Sequence, residues 1–118
     1  MPHAHDKLDV YRISLRAHKN AVRLTTGIQS GFANDIDQLR RATSSVVRNV
    51  AEGAGRWSKA DKAARFTVAR GEAAEASACV DILAVCGVVD HQLAASVSDD
   101  LDRVGAMLTR LIQRNRTG

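Results

Sequence analysis

The chain has 118 residues, of which 45% are apolar and 3% are aromatic, and its net charge at pH 7 is +4. This length is enough for one domain with a buried core and too short for two. The sequence contains no apolar run long enough for a membrane span, and no apolar signal-peptide core near its start. We therefore expect a cytoplasmic protein.

The pattern of apolar residues predicts an all-α protein. Alanine is frequent, runs of β-branched residues are few, and proline occurs once, at position 2. Apolar residues recur at steps of three and four in four stretches, which predicts helices over about residues 6–26, 35–54, 59–86 and 91–115. Four long helices with short connections are typical of an antiparallel up-down-up-down four-helix bundle in a single domain.

Several residues have the properties of helix ends. Asn34 is suited to cap the second helix, and Ser58, followed three residues later by an acid, is suited to cap the third. Gly87 is a natural left-handed residue to end the third helix. Gly71 and Gly105 lie at similar heights in antiparallel third and fourth helices. They fit either a close crossing of two backbones or two tolerated surface glycines.

Charge is distributed unevenly along the chain. Residues 71–102 contain seven acids and no Lys or Arg, whereas residues 103–118 contain four arginines and no acid. In an antiparallel bundle, the start of helix one, the end of helix two, the start of helix three and the end of helix four share one end. That end is expected to be basic and the other acidic. Helix one adds a basic stripe, formed by Arg12, Arg16, Lys19 and Arg23.

These basic surfaces predict binding of a polyanion, most commonly a nucleic acid, with RNA favoured over DNA. Arginine outnumbers lysine 13 to 4, which suits contacts to phosphates and base edges. Trp57 lies in a loop between cations and could stack on an unpaired base. Alternatively, the charges only complement the helix dipoles, and Trp57 covers the end of the bundle. The predicted contact residues are Arg12, Arg16, Lys19, Arg23, Arg48, Arg56, Trp57, Lys59, Lys62, Arg65, Arg110 and Arg114.

A polar constellation on helix two lies beside its apolar line. Its members are separated by four, four and three residues, so they share one side of the helix, and acids on helix three could face them. This arrangement predicts an internal or interfacial hydrogen-bond network that fixes the register of the helices. The predicted network comprises Arg41, Ser45, Asn49, Glu52 and Glu75.

The usual signs of catalysis or metal binding are missing from the sequence. It has no Glu-x-x-His motif of the kind that builds di-metal centres in bundles, and no glycine loop that follows a strand. Cys79 and Cys86 lie two helical turns apart, about 10.5 Å, which is too far for a disulfide. We interpret both as small buried hydrophobes, and we expect no enzymatic activity, no metal and no cofactor.

Several segments resemble a family of four-helix bundles named after proteins encoded in intervening sequences of 23S ribosomal RNA genes. The resemblance covers nearly the whole chain as a helix pattern. It is strongest in the second helix and the loop that follows. The segments that carry it are Leu8-Asp9-Val10-Tyr11, Gln38-Leu39-Arg40-Arg41-Ala42, Asn49-Val50-Ala51-Glu52-Gly53, Gly55-Arg56, Ser58-Lys59 and Ala69-Arg70-Gly71, with Ser45 and Glu75.

The resemblance implies a small bacterial bundle without known enzymatic activity that forms a ring-like homo-oligomer, a pentamer. It also suggests RNA binding, because of the link to ribosomal RNA genes. A related group, the accessory variability proteins of diversity-generating retroelements, partners a reverse transcriptase and its RNA. This sequence departs from the family at Val47, where Pro or Gly is common, and at Lys62 and Arg65, where aromatics are usual.

Together, charge and resemblance predict a non-catalytic, homo-oligomeric bundle that binds nucleic acid, with RNA favoured over DNA, through its basic end and helix-one stripe. The alternative is a protein-interaction scaffold, such as an accessory subunit of a retroelement reverse transcriptase. In that alternative the charged face meets a protein.

Overall fold

The computed structural model describes residues 4–28 and 30–117, and this part of the chain is all-α, with four helices and no strand. A short 3₁₀ turn, Ala4–Lys7, precedes the first helix. The helices are α1 (Asp9–Thr25), α2 (Ala33–Gly55), α3 (Lys59–Val85) and α4 (His91–Thr117). None of these helices combines the length and apolarity needed to cross a membrane.

Helix ends follow the predictions at two positions and depart from them at a third. The Ser58 hydroxyl accepts a hydrogen bond from the Asp61 backbone N–H at 3.0 Å, as expected of an N-cap. Gly87 has a φ of 71°, the left-handed conformation predicted for it. The assignment of Asn34 as a cap is wrong. Helix α2 begins at Ala33, two residues before the predicted start at residue 35, with Phe32 at the N-cap position and no side-chain cap.

Each helix packs against two others: α1 and α3 each contact α2 and α4. Three cross-helix bonds show which segments meet. Lys62 at the start of α3 reaches Ala54 near the end of α2. Arg70 of α3 bonds Thr109 of α4, and Arg16 of α1 bonds Asp100 of α4. These pairings are compatible with the up-down-up-down arrangement.

The core is built from aliphatic side chains and alanines. Leu39, Leu83 and Leu108 are completely buried, and α3 contributes Ala69 and Ala76 to the same cluster. Burying an aliphatic side chain of this size contributes roughly 1.5–3 kcal/mol. Alanine allows neighbouring helices to approach, so a chain with few aromatics still fills its interior.

Helices α2 and α3 pack closely at Gly53. A Cβ placed there would lie 2.7 Å from Cε1 of Phe66, whose ring is buried. By contrast, a Cβ at Gly71 or Gly105 would meet nothing within 4 Å. The predicted close crossing at those two glycines is therefore wrong, and the alternative, tolerated surface glycines, holds.

The two cysteines differ in environment. Cys79 is buried, as predicted, and burial raises the pKa of its thiol, with smaller contributions from the charges of Glu75 and Asp35. Cys86 is exposed, so its interpretation as a buried hydrophobe is wrong. It occupies the C-cap position of α3.

Candidate nucleic-acid interface

The connection between α2 and α3, which we call the tip, consists of Arg56, Trp57 and Ser58. Trp57 is 99% exposed, so its indole makes almost no packing contact. The idea that it covers the end of the bundle is therefore wrong. A large aromatic side chain left in water is unusual, because burying it would stabilise the fold.

Backbone bonds hold the tip on both sides of the tryptophan. The Arg56 N–H donates to the Gly53 carbonyl at 3.3 Å, and the Lys62 N–H donates to the Ser58 carbonyl at 3.0 Å. Arg56 and Ser58 both have extended backbone conformations. The indole is thus carried outward by a short loop whose flanks are already ordered.

The cations around the tip differ in how they are bonded. Lys62 donates through Nζ to the Ala54 carbonyl at 2.8 Å, which caps the C-terminal end of α2. Arg56 forms an ion pair with Glu52, and Arg65 lies 3.9 Å from the same carboxylate. Lys59 is exposed. Dipole complementation therefore accounts for Lys62 and, at the C-cap of α2, for Arg56, whereas Lys59 lies at the N-terminal start of α3, where a cation does not complement the dipole.

A second basic group lies at the end of α4. Arg110 and Arg114 are exposed and line a groove of about 320 Å³ between the start of α1 and the end of α4. Val10, Met107 and Leu111 form its apolar floor, with Asp9 at the edge. Arg48 of α2 is also exposed, with Nε 3.4 Å from the Ser44 carbonyl.

The helix-one stripe needs a correction at Arg16. Its guanidinium donates to both carboxylate oxygens of Asp100, at 2.9 and 2.7 Å, and the Asp100 side chain is only 7% exposed. The hydrogen bond and the charge of Asp100 raise the pKa of Arg16. This bidentate ion pair joins α1 to α4. Arg16 therefore has a structural partner on α4, which lowers the net positive charge that it offers to a phosphate.

The other members of the stripe point into solvent. Lys19 and Arg23 are exposed, and Arg23 approaches the Asn20 side chain at 3.5 Å. Arg12 lies 3.9 Å from Asp9. Leu15, on the same side of α1, is 42% exposed, so the stripe has an apolar centre.

The inward-facing position of Asp100 could have been predicted from the sequence. Val97, Leu101 and Val104 form the apolar line of α4, and Asp100 falls three and four residues from two of them. An acid at that position must face the interior beside the core, where it requires a cation. Arg16 supplies it from the neighbouring helix.

The predicted polar network does not form as an internal unit. Arg41 is 79% exposed at its side chain and lies 3.6 Å from Asp37, one turn earlier. Asn49 donates to the carbonyl and hydroxyl of Ser45, at 2.9 and 3.0 Å. Glu75 is exposed on α3. These contacts are mainly with partners one turn away on the same helix, including Glu52 with Arg56, and Glu52 also lies 3.9 Å from Arg65 of α3.

A buried polar contact that the sequence did not predict joins α1 to α2. His18 Nδ1 lies 2.7 Å from the Thr43 hydroxyl, which also lies 3.1 Å from the Leu39 carbonyl. Burial lowers the pKa of His18, and the charge of Arg40 lowers it further. The neutral imidazole is therefore favoured in the folded state.

The described part of the chain contains no group of three or more His, Cys, Asp or Glu side chains placed to hold a metal ion. What the surface offers is positive charge and an aromatic face. Guanidinium and ammonium groups attract phosphate, and an exposed indole can stack.

Comparison with known proteins agrees with the fold. In a crystal structure, a protein of unknown function from the S23 ribosomal protein family of Bacteroides thetaiotaomicron VPI-5482 has a similar chain, with a TM-score of 0.80 and 21% sequence identity. The match covers 88% of this chain and 98% of that one. Among curated proteins, none matches this sequence. The model of the 23S rRNA-intervening sequence protein family matches residues 6–110. The chain therefore belongs to the family of 23S rRNA-intervening sequence proteins.

Proposed function

We propose that this protein is a non-catalytic, homo-oligomeric bundle that binds nucleic acid, RNA in preference to DNA, through its basic end. The observation that carries the proposal is the tip. There the fully exposed Trp57 is flanked by Arg56 and Lys59. Solvent-exposed tryptophan beside cations is costly for a surface without a ligand, and it is common where bases and phosphates bind.

The charge around the tip supports binding to phosphates. Between residues 52 and 65 there are four cations and two carboxylates, a net charge of +2. The helices alternate in direction in this proposal, so the α4 arginines Arg110, Arg114 and Arg116 lie at the same end. Positive charge gathered at one end steers a polyanion to it.

The family name gives a reason to favour RNA. The family is described by its connection to sequences that interrupt 23S rRNA. In our proposal, the ligand of this protein is therefore a structured RNA.

The outer side of α3 supports association between copies. Val68, Ile82 and Val85 are 39%, 44% and 86% exposed, and Gly71 and Ala78 lie between them on the same side. Successive positions are separated by three, seven, four and three residues, which keeps them on one side of the helix, as in a seam that packs against another helix. Helix α3 is thus apolar on its core side and on its outer side.

Charge complementarity suggests what covers this seam. Glu72, Glu75 and Asp81 accompany it, whereas the stripe on α1 is basic around the half-exposed Leu15. Helices α1 and α3 do not contact each other in the bundle, so the two surfaces lie on different sides. Pairing α1 of one copy with α3 of the next is a head-to-tail contact, which closes into a ring when the rotation allows. We propose a pentamer.

A ring would strengthen RNA binding without any new contact. Several basic ends on one assembly raise the effective concentration of the second contact after the first has formed. In this proposal, the basic end binds RNA and the helix-one stripe binds the neighbouring copy.

Binding to a labelled structured RNA over a salt series tests the proposal, with the mass of the assembly measured by light scattering on the same sample. We expect affinity to fall steeply with log salt, because phosphate contacts release counterions. The double variant Arg56→Gln with Lys59→Gln should bind about tenfold more weakly. Its slope should be shallower by roughly one to two, since each lost phosphate contact removes slightly less than one.

The matched control removes two charges elsewhere. Arg41 and Arg103 are exposed, and neither lies at the tip, so Arg41→Gln with Arg103→Gln should leave affinity nearly unchanged. Equal losses in the two double variants would contradict the assignment of the surface. A stable assembly that binds no RNA even at low salt would favour the alternative, a scaffold for a protein partner such as a reverse transcriptase.

A further inference from the structure

We infer that the tip recognises unpaired bases, so that the ligand class is RNA with exposed bases in a hairpin loop, bulge or single strand, and that Trp57 stacks on one of them. This inference rests on the proposed function. It specifies which part of a nucleic acid the protein recognises.

The first argument is the position of the indole. Trp57 is 99% exposed and projects from a connection of three residues, between Gly55 at the end of α2 and Lys59 at the start of α3. Its two faces are therefore open to a planar partner. In the interior of a duplex the faces of the bases are covered by their neighbours, and the major groove of A-form RNA is too narrow for side chains to read. Only an unpaired or terminal base offers a face to this side chain.

The second argument is that the loop is ordered before a ligand arrives. Ser58 caps α3 by accepting from the Asp61 N–H at 3.0 Å. Lys62 ties the start of α3 to the end of α2 through the Ala54 carbonyl at 2.8 Å, and the ring of Phe66 packs against Gly53. Stacking on Trp57 therefore orders little more than the side chain itself, which favours binding.

The third argument is the modest charge near the indole. Glu52 contacts both Arg56 and Arg65, and Lys62 is bonded to a carbonyl. Of the cations next to Trp57 that the structure describes, Lys59 therefore has the fewest competing contacts. Binding to a duplex through charge alone depends on the number of phosphates that the protein neutralises. A surface with fewer available cations depends more on stacking, which contributes roughly tenfold or more in affinity per base.

The neighbouring cations suit the same ligand. Lys59 and Arg56 flank the indole in sequence, on either side of the residue that would hold the base. A base turned outward from a loop carries its own phosphates with it, one on each side. The tip thus offers one aromatic face and adjacent positive charge, which is the arrangement used for unpaired nucleotides.

Two hairpins with the same stem and the same number of phosphates test the inference. One carries bases in its loop, and the other carries abasic nucleotides there. We expect the intact protein to bind the first about tenfold more tightly. Trp57 is the one tryptophan of the sequence, so its fluorescence reports on the tip alone. Only the hairpin with loop bases should quench it.

Substitutions at Trp57 complete the test. Trp57→Ala should bind both hairpins equally, at the affinity of the intact protein for the abasic one, whereas Trp57→Phe should retain most of the preference. Because the side chain is exposed, thermal unfolding of both variants should match that of the parent. Equal affinity of the intact protein for the two hairpins, or fluorescence that responds to anionic vesicles and not to RNA, would overturn the inference.

The same measurements separate this inference from the proposed function. If both hairpins bind equally and binding weakens with salt and in Arg56→Gln with Lys59→Gln, the basic end binds nucleic acid and the inference on unpaired bases is wrong. If neither hairpin binds at low salt, both are wrong.

Discussion

The tip and the helix-one stripe are both cationic in sequence, but the structure gives them different properties. In the stripe, Arg16 is held by the buried carboxylate of Asp100, and Leu15 forms an apolar centre. At the tip, Trp57 stands in solvent beside Lys59. The difference teaches that the number of cations in a segment does not measure the positive charge available to a ligand. The partner of each cation, and its apolar neighbours, decide what the surface can bind.

The largest expected effect comes from the contact that supports the tip. Gly53→Ala places a Cβ 2.7 Å from the Phe66 ring, so we expect a loss of about 1–3 kcal/mol in the free energy of unfolding. Urea unfolding measures it. Gly105→Ala is the matched control, because nothing lies within 4 Å of its Cβ. Alanine should stabilise α4 there by about 0.5–1 kcal/mol. Equal effects at the two glycines would contradict the close packing at Gly53.

A smaller loss of stability is expected on the stripe side. Asp100→Asn removes the carboxylate that holds the Arg16 guanidinium, so the melting temperature should fall. Asp99→Asn, at an exposed neighbouring position, is the control and should melt like the parent. If Arg16→Gln lowers the melting temperature of the parent but not of Asp100→Asn, the two residues act as a pair. Independent, additive effects would show that the ion pair contributes little.

The stripe and the tip should also separate in their effects on assembly and binding. Lys19→Gln with Arg23→Gln removes two exposed cations beside Leu15, which weakens the proposed contact with α3 of the next copy. Light scattering should show smaller assemblies, while the affinity of one subunit for a short hairpin stays within about twofold, since these charges lie outside the tip. If Lys19→Gln with Arg23→Gln lost as much RNA affinity as Arg56→Gln with Lys59→Gln, the stripe would be part of the nucleic-acid-binding surface.

The smallest effect is a dependence of stability on pH. The pKa of His18 is lower in the folded protein than its ordinary value of 6.5, so the unfolded chain binds the proton more readily. The contribution of the neutral imidazole is complete above about pH 6.5 and is lost as the pH falls toward the folded pKa. Denaturant midpoints measured across this range should therefore decrease on acidification.

His18→Gln should remove this part of the pH dependence, since glutamine can still reach Thr43 without taking up a proton. The exposed His91 provides the control, because His91→Gln should leave the slope unchanged. An unchanged slope in His18→Gln would show that another group causes the effect.

Much of the fold could be predicted from local pattern. The spacing of apolar residues located all four helices, because one turn of helix repeats every 3.6 residues whatever surrounds it. The cap at Ser58 and the left-handed Gly87 were also predictable, since their bonds involve residues within a few positions along the chain. The start of α2 was less predictable, because nothing at Asn34 stops the helix from beginning two residues before the predicted start.

Some features of the candidate site could be predicted from the sequence and others could not, again because only some depend on residues close along the chain. The position of Trp57 in a loop between cations was predicted correctly, because it depends only on residues next to it in sequence. The partners of Arg16 and Lys62 were not, because each lies on another helix. The polar residues of α2 were expected to meet across helices, yet Asn49 bonds Ser45 one turn away, where no chain entropy opposes the contact.

By itself, then, the sequence determined the helices, their order, the uneven distribution of charge and the family to which the chain belongs. These properties follow from residues that are close along the chain. Tertiary structure alone decided that the Phe66 ring packs against Gly53, that Asp100 pairs with Arg16, and that Trp57 remains in solvent. Each of these depends on which side chain of another helix stands opposite, and that is set only when the four helices pack together.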